Sequence, residues 1–345
     1  MPRSTASILW LCIATATLVG CGTPAGPLLE ASPSARTWPS PPDTPRFRFL
    51  GELRTDQDLK PARAGLARLG EALFGATQPR AMTSPMGVCT DNASRAFVAD
   101  SNGKTLHVFD LASRSYATWS APNPGFELPV AVAFDPAGRI LVADATSSCI
   151  WAFDASGNSL GRLGIGILAR PCGIAVAPDR RLFVADVASH QIIILSPEGN
   201  ELRRIGSRGS APGQFNFPTH VALDPSGRLF VSDSLNFRIQ VFDPDFTPVL
   251  QIGRKGDLPG YFSQPKGIAI DADGNLCVVD ANFEALQFFD PAGSLLMTFG
   301  GEGTGPGQFW LPAGAHYDAS GRLWIADSYN QRVQIFQRIT EGTAP

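Results

Sequence analysis

The chain has 345 residues, a formal net charge of −3, and 17% charged residues against 44% hydrophobic ones. Its 28 Lys and Arg are scattered with no basic stripe, which argues against nucleic-acid binding through phosphate neutralisation. The 35 Gly and 29 Pro fit a turn-dense all-β chain.

From the N-terminus, "MPRSTAS" carries one arginine and is followed by "ILWLCIATATLV". That apolar run suits the central region of a signal peptide and is too short to span a bilayer as a helix. It ends in Leu18, Val19, Gly20 and Cys21, which resembles the lipobox of bacterial lipoproteins. The resemblance implies a lipoprotein signal peptide over 1–20 and an acylated Cys21, with membrane contact through that lipid anchor. Gly22 follows, with no aspartate to argue for inner-membrane retention, so the expected address is the cell envelope at the outer membrane. No later segment is long and apolar enough to span. Residues 21–45 are proline-rich and read as a semi-rigid tether, about 70 Å long if extended at roughly 3 Å per residue.

"RFRFLGEL" (46–53) reads as a strand with no partner before it. Next, 58–75 places Leu59, Ala62, Leu66, Leu69 and Leu73 at spacings of three and four. This predicts a short amphipathic helix after Pro61, packed as a cap.

The remainder is periodic. Asp100, Asp144, Asp186, Asp233, Asp280 and Asp327 each end an apolar run such as "LFVAD" or "LWIAD", at separations of 44, 42, 47, 47 and 47. A proline stands 15 positions before each of them, from Pro85 to Pro312. A fixed period in the forties marks a repeat architecture. Within "PKGIAIDADGNLCVVDANFEALQFFDPAGSLLMTFG" (265–300), four short apolar runs alternate with turn signals. They read as four antiparallel strands. Six such units predict an all-β, six-bladed β-propeller over 46–341. The sixth unit lacks a fourth strand, and 46–53 supplies one, closing the ring and removing its exposed edges.

Six aspartates in one register argue against six active sites. Each carboxylate is expected to cap backbone N–H groups where strand two turns into strand three, with Arg238 and Arg332 as partners between blades. "FPTHVALDPSGRLFVSDSLNFRIQVFDPDF" and "LPAGAHYDASGRLWIADSYNQRVQIFQ" resemble NHL repeats, and "GSRGSAPGQFNFP" resembles that family's linking segment. The resemblance implies the same six-bladed fold and leaves the chemistry open.

Candidate chemistry lies where units deviate. First strands follow Pro-x-Gly-Ile/Val-Ala, yet His220 replaces the glycine in unit four. His316 and Cys89 replace the alanine in units six and one. First strands line a propeller's channel, so these three could face one another there, and imidazole and thiolate are zinc ligands. Amidating lyases and gluconolactonase relatives hold a metal in similar channels, so zinc or calcium there is the conditional expectation; otherwise no cofactor is expected. His107 and His190 are expected to be hydrogen-bonded core or turn residues. "DADGN" (271–275) resembles the start of a calcium loop but falls on a hairpin turn. Cys149 and Cys172, on adjacent units, could form a disulfide in an exported protein.

Two functional readings follow. One is a membrane-anchored scaffold that binds a protein, peptide or glycan through its loop face, with Trp310, Tyr261, Phe262 and Phe283 as contacts. The alternative is a metal-dependent lyase or hydrolase working in the channel around His220 and His316.

Overall fold

A computed structural model describes residues 26, 28–29, 36–60, 78–91 and 93–339. The signal peptide, Cys21 and most of the tether lie outside the described residues. So does the expected helix beyond Lys60; its first residues end a short 3-10 turn, Asp56–Leu59, that buries Leu59.

The repeats fold into six antiparallel sheets. Blade one consists of Pro85–Thr90, Arg95–Asp100, Thr105–Asp110 and Ser115–Trp119, paired in that order. Blades two to five repeat the pattern from Pro129, Pro171, Pro218 and Pro265. Val, Ile and Phe dominate second and third strands, which are buried on both faces, as in "LFVAD" and "QIIIL". Fourth strands of blades one to five are the more exposed ones, as in Glu201–Ile205. Turns between first and second strands are capped from within: the Asp271 carboxylate accepts the N–H groups of Asp273 and Asn275, and Gly274 takes φ +82°. "DADGN" is therefore a hairpin turn.

Blade six closes as the repeat count requires. Its sheet runs Ala315–Tyr317, Arg322–Asp327, Arg332–Arg338, then the N-terminal strand Phe47–Leu53, with Thr37–Trp38 added outside. Phe47 pairs with Arg338 and Leu53 with Val333.

The sheets stand radially, so alternate side chains of one strand belong to the two neighbouring blades. Cys89 packs in an apolar cluster with Val132, Val142 and Trp151 of blade two, whereas Val88 packs with Trp324 and Val333 of blade six. The core is a ring of such seams. At the channel the blades approach closely: a Cβ on Gly267 would stand 2.3 Å from the carbonyl oxygen of Ala313 in the next blade. First strands of all six blades line a channel cavity of about 360 Å³.

Ring closure rests on the aromatic end of the N-terminal strand. Phe47 is 4% exposed and packs against Phe288 and Phe299 with centroids at 4.6 and 5.9 Å. Phe47→Ala should cost about 3–5 kcal/mol, measured by urea denaturation, and should raise the susceptibility of the N-terminal strand to proteolysis.

Candidate functional site

The six repeat aspartates are fully buried and structural in their bonding. Asp233 accepts the Asn216 N–H of the preceding linker at 2.6 Å, the Asn236 amide at 2.8 Å and Arg238 Nε at 2.9 Å. Asp327 repeats this with Trp310, Asn330 and Arg332. The carboxylate ties the strand turn of its blade to the linker leading into the same blade. Arg238 and Arg332 do the same rather than bridging between blades: they ion-pair with their own blade's aspartate and donate to linker carbonyls such as Gln214 and Gln308. In Asp100, burial raises the carboxyl, but bonds from His107, Thr83 and Gly103 outweigh it and hold the group well below the usual range. Asp280 has Ala285 where the arginine would stand, and there burial wins and raises the carboxyl. His107 bridges Asp100 and the Tyr116 hydroxyl, and His190 Nδ1 accepts the Phe217 N–H.

The three expected metal donors are not brought together. Residues two and four after each proline lean toward the next blade; Cys89 and His316 also line the channel cavity, whereas His220 does not. Cys89 therefore points into the seam between blades one and two, and His316 into that between six and one, where its Nε2 meets the Thr90 N–H at 3.2 Å and hydroxyl at 3.0 Å. His220 points into the seam between blades four and five. Among the described residues no group of three or more His, Cys, Asp or Glu gathers, so the residues present do not fit a channel zinc or calcium ion. Burial pushes the Cys89 and Cys277 thiols far up. Burial, opposed by Asp318, lowers His316 to about 4; burial, then the Lys266 charge, lowers His220 to about 3.

The expected Cys149–Cys172 bridge is not formed; both are free thiols. Cys149 faces blade one, packed with Phe97 and Leu106, while the first strand bearing Cys172 packs through Ile174 and Val176 on the opposite side of blade two.

The contact residues sort differently from expectation. Phe262 is fully buried, packed on Phe289, and Tyr261 and Phe283 are half-buried. Trp310 is 48% exposed and pairs with Tyr329, 59% exposed, at 5.5 Å between centroids. Phe217 and Leu235 are also exposed on the same face, which carries the aspartate turns and the linkers. Phe217 and Trp310 lie just before the first-strand prolines. Leu235 and Tyr329 both stand two positions past the repeat aspartate. That shared register was the available signal for the second pair.

Two outcomes follow from these environments. Asp233→Ala strands the buried Arg238 and should cost about 3–5 kcal/mol, whereas Asp280→Ala loses only hydrogen bonds and should cost about 1–3 kcal/mol; denaturant unfolding measures both. His220 and His316 stay neutral in the fold while their unfolded forms protonate near pH 6.5. Stability from this source is full above that pH and falls as pH drops toward about 4 and about 3. A His220→Gly/His316→Ala variant should show a flatter stability profile between pH 6.5 and 4.

The NHL repeat family model matches residues 215–242 and 309–336. No curated protein sequence matches the chain. Among solved structures, a gluconolactonase from Xanthomonas campestris is similar at 19% identity and TM-score 0.60, covering 84% of this chain and 98% of its own. Virginiamycin B lyase from Staphylococcus aureus is similar at 12% identity and TM-score 0.58, covering 85% and 100%. An auxiliary nutrient binding protein from Bacteroides ovatus is similar at 14% identity and TM-score 0.59, covering 75% and 70%. At such identities the likeness concerns the fold. Repeat match, strand order and ring closure agree, and the chain is a six-bladed β-propeller carrying NHL repeats.

Proposed function

We propose that this propeller is a binding module, exported and held at the outer membrane by an acylated Cys21, that grips a protein, peptide or glycan on the face carrying the aspartate turns. The carrying observation is the exposed Trp310–Tyr329 pair, with Phe217 and Leu235 on the same face. Exposed aromatic rings beside polar turns offer large contact area at low entropic cost, which is the usual composition of a recognition surface. A nutrient binding protein among the fold neighbours is consistent with this use of the scaffold.

The alternative, a metal-dependent lyase or hydrolase, draws on the lyase and gluconolactonase neighbours. The donors His220, His316 and Cys89 lean into three different seams and do not gather as a ligand set among the described residues.

A photo-cross-linking residue at position 310, in the full chain expressed in its cell envelope, should give a discrete adduct. The same residue at Leu202, on an outer strand, should give none. Trp310→Ala/Tyr329→Ala should abolish a partner isolated this way without lowering stability by more than about 1 kcal/mol. Equal labelling from both positions would overturn the reading.

A further inference from the structure

Three polar groups without protein partners converge on the seam between blades four and five. His220 occupies the position where blades one, three, five and six have glycine, and its Nδ1 is shielded from solvent and unpaired. Ser232 is its register partner on the second strand, so the two side chains share the face toward blade five. Ser232 is fully buried, and its hydroxyl also has no partner. Four other blades have alanine there: Ala99, Ala143, Ala185 and Ala326. Lys266 enters from the first strand of blade five. It is half-buried, its ammonium basicity is lowered by burial alone, and its charge reaches the His220 ring. One end of the seam is closed by the Thr219 and Ser234 hydroxyls, 2.7 Å apart, with Ser234 donating to the Pro265 carbonyl at 2.5 Å.

A buried unpaired hydroxyl and a half-buried ammonium without a counter-charge each cost free energy. At all three positions this blade pair departs from the repeat's usual residues toward polarity. A ligand that supplies negative charge and hydrogen-bond acceptors satisfies Lys266 and Ser232 together, and the His220 tautomer adjusts to meet it. We propose that the seam between blades four and five is a binding site for a small carboxylate, held by the Lys266 ammonium, the Ser232 hydroxyl and the His220 ring. The site stands on these three groups alone and does not depend on the aromatic face.

The test uses the full chain labelled with 15N-histidine, titrated with sodium acetate against sodium chloride at constant ionic strength. The His220 ring signals, assigned by their loss in His220→Gly, should shift saturably with acetate and not with chloride. Lys266→Met should weaken the acetate affinity at least about ten-fold, and Ser232→Ala several-fold, as expected for lost hydrogen bonds to a charged group. If Lys266→Met does not fold, Ser232→Ala decides, since it restores the residue of four other blades. No saturable shift in the folded wild type, or unchanged acetate affinity in the variant that decides, would overturn the proposal and leave a site for water only.

Discussion

In a ring of radial sheets, the side chains of an inner strand pack toward the seams between blades, and the seams are tight. The near-contact at Gly267, 2.3 Å from the next blade's carbonyl for an added Cβ, shows how little room exists. Glycine and alanine dominate this position because the backbones must meet. Anything larger has to be accommodated by the neighbouring blade, so a deviation from the repeat is a change in an interface between two blades. This is why His220, His316 and Cys89 do not form one site although all three lie on channel-lining strands.

The period was fully legible. Constant spacing of aspartate and proline, with an elastic linker between units, demands a repeated unit, and a sixth unit short of one strand demands a strand from elsewhere. Phe47–Leu53 supplies it, with the register running from Phe47 opposite Arg338 to Leu53 opposite Val333. The structural role of the aspartates was legible too, because their number argued against catalysis. The sequence did not disclose that each carboxylate also holds the linker in front of its own blade, since that bond spans 17 residues, as from Asn216 to Asp233.

Side-chain direction was the part that composition and spacing could not supply. A strand alternates between two sides, but whether those sides are channel and exterior or two neighbouring blades depends on how the sheet is set in the ring. The first choice unites three donors and the second separates them. The same uncertainty placed Phe262 among surface contacts, although it fills the seam beside Phe289. Its fully buried counterparts Phe215 and Phe309 end the same linker text, "GQF", in blades four and six. The exposed residues are the ones that follow them toward the proline, Phe217 and Trp310.

The two histidine seams show how the repeat absorbs or fails to absorb a polar intrusion. His316 enters the seam between blades six and one and finds Thr90, whose N–H and hydroxyl both meet its Nε2. The corresponding residue of blade five, Ile270, lies at the far end of its strand from His220 and offers no such group. What stands near His220 instead is a second polar substitution, Ser232, and a cation, Lys266. Two intrusions of the same residue type thus have opposite outcomes, one closed internally and one left open. An imidazole paired within the protein is finished structure. An imidazole, a hydroxyl and an ammonium left unpaired in one seam are a polarity that the fold itself does not complete.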